Sequence, residues 1–258
     1  MNIIKGLPGV VKVLFSLPEL RHLKKEIDTA RAAGDNAREQ RAILDATIMW
    51  GSHLMRSFHV DLHVTGRENL PKTGPLVYVS NHQGFADIPT LCAVLTNVQF
   101  GFIAKDALRR MPLYGTWMRR IRSIMIKRDD PRASLRAIAE GIDYIEHGFS
   151  MLIFPEGTRA RSGGMHEFKK GALKLATKPG VPIVPISING TYEILEEKGY
   201  LCNNKRVDVL IHPPIPTEGL DRKAEKALTD QVFTIVHDGL AELKAQRGET
   251  LAETLPAK

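Results

Sequence analysis

The stretch Asn81–Asp87, NHQGFAD, sets an imidazole and a carboxylate five positions apart, directly after the apolar run Pro75–Ser80. A neutral imidazole can take a proton near pH 7, and a carboxylate on its second nitrogen fixes the tautomer and favours the charged product. On an unbroken helix, residues five apart diverge by about 140°, so the two side chains would not share a face. They meet only if the chain turns between them. Gly84 permits such a turn, and Pro89 suits the first turn of a helix starting near Ile88. Spacing alone leaves two readings open: an acid–base pair at a strand-to-helix junction, or a polar turn that contains a histidine.

A second stretch begins at Leu152 and reads LIFPEGTRARSGGMHEFKKGALKLA. An apolar strand ends at Pro155 and is followed by Glu156, Gly157, Thr158 and Arg159. Gly157 lets backbone approach a ligand, Arg159 supplies a planar fork for a phosphate, and Glu156 can accept from a hydroxyl. Such groups could hold a glycerol phosphate by both ends. A polar turn with a local ion pair is the plainer alternative.

The elements that must position these residues follow from periodicity. Residues 1 to about 57 read as helical, with Arg21–Arg41 a solvated helix pair turning at Gly34-Asp35. From Phe58 the chain changes to short apolar runs, and HVDLHVTG, PLVYVS, VQFGFIA, SIMIKR, SMLIFP, PIVPISI and RVDVLIHP read as strands. A helix capped by Asp130, with Pro131 in its first turn, carries a stripe of Leu135, Ile138, Ile142 and Ile145 and stops before Gly148. Strands alternating with helices predict an α/β fold with a largely parallel or mixed sheet of about seven strands. The expected organisation is a helical membrane-docking segment over 1–57, an α/β domain over 58–220, and a helix with a fraying polar tail over 221–258.

The chain has 258 residues, 43% hydrophobic and 25% charged, within the range of folded proteins. Cys92 and Cys202 are too few for a disulfide framework or a thiolate zinc site, which points to a reduced, intracellular setting. The net charge of +7 points to an anionic partner. Lys105, Arg109, Arg110, Arg119, Arg120, Arg122, Lys127 and Arg128 face only Asp106 among acids and are interleaved with Leu108, Met111, Leu113, Tyr114, Trp117 and Met118. A cationic and apolar surface of that kind suits a lipid interface, and no nucleic-acid-binding signature accompanies it. The longest charge-free run, Ile88–Ala104, is too short and too polar to span a bilayer. The apolar N-terminus, broken by Lys5 and Lys12, reads as a segment lying on a membrane surface.

NHQGFAD, then FPEGTR, then VPIVP over residues 181–185, together resemble the glycerophospholipid acyltransferase family, most closely its PlsC-type 1-acyl-glycerol-3-phosphate acyltransferases. Asn81, His82 and Asp87 match the family's first block; Lys105, MPLYG and Arg128 its second; residues 154–159 its third. Two departures stand out: Gly84 where many members carry serine, and Lys127 where many carry aspartate or asparagine. The resemblance covers about residues 58–215. It implies that His82 is a general base oriented by Asp87, and that Lys105, Arg128, Glu156, Gly157, Thr158 and Arg159 bind substrate. It implies transfer of an acyl group from acyl-CoA or acyl carrier protein to the sn-2 hydroxyl of lysophosphatidic acid, giving phosphatidic acid, with no further cofactor or metal. The substrate hydroxyl attacks directly, and the sequence contains no Gly-x-Ser-x-Gly elbow. It also implies a peripheral or monotopic protein on the anionic cytoplasmic face of the cell membrane, with no nucleic-acid partner. A different lysophospholipid acceptor is the alternative.

Other histidines have plainer readings. His59, Asp61 and His63 alternate along a strand and could hold a metal, but alternation by itself places them on a solvent face. His22, His53, His147, His166, His212 and His237 show no ligand spacing and read as surface or capping residues.

Overall fold

The computed structural model describes residues 20–106, 109, 114–126, 130–169 and 171–256. Arg128, Lys127, the N-terminal apolar segment and most of the MPLYG stretch lie outside them. Seven strands form one sheet: β1 (Asp61–Thr65), β2 (Val77–Ser80), β3 (Phe100–Lys105), β4 (Ile124–Ile126), β5 (Ser150–Ile153), β6 (Ile183–Asn189) and β7 (Arg206–Ile211). Their spatial order is β1-β7-β6-β2-β5-β3-β4. Every pairing is parallel except β6 with β7, so the α/β expectation of seven strands holds. Every residue of β2, β5 and β6 is buried, which is why these segments read as continuous apolar runs rather than alternating ones.

Among the described residues, seven α-helices accompany the sheet: α1 (Arg21–Ala32), α2 (Asn36–Ser57), α3 (Asp87–Val94), α4 (Tyr114–Arg120), α5 (Pro131–Glu146), α6 (Lys174–Thr177) and α7 (Arg222–Ala245). One sheet face packs with α1 to α4 around Trp50, Leu91, Phe100 and Trp117, and the other with α5 to α7 around Ile124, Ile145, Leu175 and Val232. Fully buried side chains of this size each contribute roughly 1.5–3 kcal/mol relative to exposure.

Four expectations are corrected. The α1–α2 pair does turn at Gly34, with Asp35 capping α2 through Arg38 N, but it is not a solvated appendage. Leu23, Ile27, Ile43, Trp50 and Leu54 join the same core as the sheet. At Gly51, an added Cβ would lie 2.5 Å from Pro89 O and 2.6 Å from Ala93 N, so only glycine lets α2 lie this close on α3. The basic segment after β3 is in part turned inward, although Lys105, Arg109 and Arg119 are exposed. Tyr114, Trp117 and Met118 are buried, and Arg120 and Arg122 are taken up by Asp28 on α1 and Glu39 on α2. Charge counting along the chain could not see the acids that folding brings opposite. Leu135 leaves the apolar stripe of α5 and is 69% exposed. Finally, the tail does not fray: Leu255 N donates to Met165 O and its carbonyl accepts from Glu167 N, both at 2.9 Å.

Candidate active site

In a parallel sheet the carboxyl ends of strands share one edge, and ligands bind in the crevice outside it. The chain leaves β2 at that edge into NHQGFAD, leaves β5 into FPEGTR, leaves β3 at Lys105 and leaves β6 into Gly190-Thr191. Asn81 anchors the first loop by imitating a strand residue. Its Nδ2 donates to Ile188 O at 2.9 Å and its Oδ1 accepts from Ile188 N at 2.8 Å.

His82 Nδ1 lies 2.6 Å from Asp87 Oδ2. The turn across Gly84–Ala86 brings them together, because Asp87 is the first residue of α3 and its carboxylate folds back over the loop. Asp87 Oδ2 also accepts from Gln83 N at 2.8 Å and Gly84 N at 2.9 Å, and Oδ1 accepts from the Thr191 hydroxyl. Every other neighbour of this carboxylate among the described residues donates to it, so the imidazole Nδ1 carries a proton, and in the neutral ring the lone pair is on Nε2. Phe154 stacks on the imidazole with centroids 4.1 Å apart and planes 15° from parallel. Hydrogen bond and stack together leave the ring one orientation.

Glu156 is fully buried, and neither oxygen is free for a substrate hydroxyl. Oε1 accepts from His82 N at 2.5 Å and Oε2 from His166 N at 2.7 Å. Its carboxyl is pushed up to about 8 by burial, against the pull of the two amides and with the Asp87 charge adding. The residue expected on the substrate is therefore a clamp joining two loops. His166, expected at the surface, is buried, with Nδ1 3.1 Å from Pro256 O. Half-buried His212 pairs with the Ser187 hydroxyl at 2.9 Å, and burial lowers its pKa.

Arg159 is partly exposed, and its Nη1 donates to Glu196 Oε1 at 2.7 Å. The same oxygen accepts from Phe85 N at 2.9 Å. Gly157 turns with φ +66°, and an added Cβ there would meet Lys169 Cε at 2.7 Å. Thr158 is half-buried beside it, and Lys105 is exposed at the end of β3. An apolar groove of about 520 Å³ opens next to this edge, between Ile103, Ile126, Leu135, Ile138 and Phe154, with Lys169 and Lys174 on its lining. His59, Asp61 and His63 face solvent, with His63 Nε2 3.0 Å from Asp61 Oδ2.

Thr191, Glu196 and Gln83 were not anticipated. Gln83 Oε1 accepts from Gly190 N at 3.0 Å, tying the first loop to the end of β6. The one sequence signal was the Asn189-Gly190 turn at a strand end, which marks a loop but not its contents.

The acyltransferase family model matches residues 61–189. A chloroplastic 1-acyl-sn-glycerol-3-phosphate acyltransferase of Arabidopsis thaliana is 39% identical over 170 residues, covering 65% of this chain and 47% of that protein. The 1-acyl-sn-glycerol-3-phosphate acyltransferase of Borreliella burgdorferi is 30% identical over 170 residues, covering 66% of this chain and 68% of its own length. The chain spans about half the length of the plant relatives, 47% and 52%. The crystal structure of the 1-acyl-sn-glycerophosphate acyltransferase PlsC from Thermotoga maritima superimposes with a TM-score of 0.71 at 29% identity, covering 92% of this chain and 98% of that one.

Proposed function

Because the chain belongs to the acyltransferase family, we propose that it moves a fatty acyl group from an acyl thioester to the sn-2 hydroxyl of 1-acyl-sn-glycerol-3-phosphate, giving phosphatidic acid. The observation that carries this reading is the His82–Asp87 pair, with Nδ1 engaged and Nε2 without a partner among the described residues, at the strand edge that also bears Arg159. His82 Nε2 takes the hydroxyl proton as the oxygen attacks the thioester carbonyl. The tetrahedral adduct collapses, the C–S bond breaks, and the imidazolium returns its proton to the departing thiolate. Asp87 holds the ring and stabilises its charge. Arg159 binds the acceptor phosphate, with Lys105 and Arg128 adding positive potential. Glu156 fixes the backbone of His82 and does not touch substrate. The groove beside Phe154 suits an acyl chain, since its walls are largely aliphatic and one of its lining residues is the ring stacked on the base.

The alternative within the family is another lysophospholipid acceptor. Purified protein should be given lysophosphatidic acid and a panel of lysolipids with neutral or zwitterionic head groups, with acyl-CoA and with acyl carrier protein as donors. Formation of phosphatidic acid with the highest kcat/KM supports the reading. Preference for a head group without a terminal phosphate overturns it.

A further inference from the structure

Glu196 stands outside every sequence block discussed above. It follows the short 3-10 turn Thr191–Ile194 after β6, and its side chain is only 5% exposed. Burying a carboxylate is costly unless donors meet it. Yet Oε2 has no hydrogen-bond partner among the described residues, while Oε1 takes two donors, Arg159 Nη1 at 2.7 Å and Phe85 N at 2.9 Å. Oε2 lies against Gly84, where an added Cβ would run into it. This single carboxylate therefore spans the loop that carries His82 and Asp87 and the turn that carries Arg159.

We propose that Glu196 is a positioning residue for the acceptor phosphate, seated in the space left by Gly84. It holds one Nη of Arg159, aims the rest of the guanidinium outward, and fixes that fork relative to the imidazole through Phe85 N. This rests on the reading of Arg159 as the phosphate ligand. A guanidinium binds phosphate best through two parallel donors, and that geometry needs the planar group to be pre-oriented. Without Glu196 the charge remains but its direction is lost. The chemical step at His82 does not need Glu196, because Asp87 alone engages Nδ1.

The test is steady-state kinetics of the full chain with lysophosphatidic acid and with monoacylglycerol, which presents the hydroxyl without a phosphate. In Glu196→Ala the KM for lysophosphatidic acid should rise about tenfold or more, with kcat, donor KM and the slow monoacylglycerol rate changing little. Glu196→Gln keeps an acceptor oxygen for Arg159 and Phe85 and should restore most of the affinity. Gly84→Ala should displace the carboxylate and raise the same KM, and the added methyl should have no further effect in the Gly84→Ala/Glu196→Ala double variant. Arg159→Ala/Glu196→Ala should bind lysophosphatidic acid no worse than Arg159→Ala. A lowered KM in Glu196→Ala would overturn the proposal, because Glu196 would then compete with the phosphate. Equal loss with both acceptors would also overturn it and leave a structural role. Failure of the wild-type chain to use lysophosphatidic acid would instead overturn the functional reading itself, and the inference with it.

Discussion

His82→Ala removes the base while the clamp of Glu156 on the backbone amide of residue 82 remains. Acyl transfer should fall by about 10²–10⁴-fold with the circular dichroism spectrum unchanged. Asp87→Asn should be similarly impaired, since its amide cannot accept from Nδ1, both loop amides and Thr191 as the carboxylate does. Because the two act as one unit, the double variant should be little worse than His82→Ala alone, and multiplicative losses in a four-protein cycle would contradict that. Glu156 gives a pH-dependent prediction. Its folded pKa of about 8 lies above the ordinary 4.5, so between those values the folded protein holds a proton that the unfolded chain has released. The stability from this group is present below pH 4.5 and is lost as pH rises through 8. Urea midpoints at pH 5.5 and 8.5 should fall further for the wild type than for Glu156→Gln. Much of this site was legible, because NHQGFAD carries both partners of the pair within one loop. Thr191 and Glu196 were not, since they reach the loop from over a hundred positions away and only folding makes them neighbours. Nor can a motif reveal that both oxygens of a glutamate are already occupied.

At the scale of elements, Glu39 adds a buried ionic tie to the apolar packing that attaches α1 and α2. It is completely buried and accepts from Arg31 and Arg122, while Arg122 also lies over the Phe149 ring at 4.5 Å. Burial opposes its charge, but the Arg122 and Arg31 guanidinia outweigh that and hold Glu39 below the usual carboxylate range. Glu39→Ala strands two guanidinia, one on α1 and one beside α4, and should cost about 3 kcal/mol in denaturant unfolding. Gly51→Ala tests the α2–α3 contact. The added methyl meets backbone, which cannot rotate away, so a loss of roughly 1–3 kcal/mol is expected, together with lower kcat because α3 begins at Asp87. The strands were readable because centrally buried ones are unbroken apolar runs bounded by turns. Arg120 and Arg122 did not belong to the expected cationic surface, and the sequence could not show it, because a run of arginines looks the same whether water, lipid or a buried glutamate faces it.

For the whole molecule, no helix among the described residues is long and apolar enough to cross a membrane. Docking of the N-terminal apolar segment on an anionic bilayer is our proposal for how the protein meets its lipid substrate. Deleting residues 1–57 would remove Ile43, Trp50 and Leu54 from the core, so the informative deletion is residues 1–19. That variant should fold, float less with anionic liposomes, and lose further binding at high salt through screening. Equal flotation of both proteins at every salt concentration would refute the proposal. The sheet itself carries a consequence for how the molecule is made. β1 has one neighbour, β7, with Asp61 opposite Arg206. On the ribosome, β1 emerges early and stays unpaired while most of the domain is translated. The loop that delivers Thr191 and Glu196 lies just before β7, and those two side chains reach back to Asp87, Phe85 and Arg159. A nascent chain stalled before β7 therefore presents the bare edges of β1 and β6 to chaperones and to other chains.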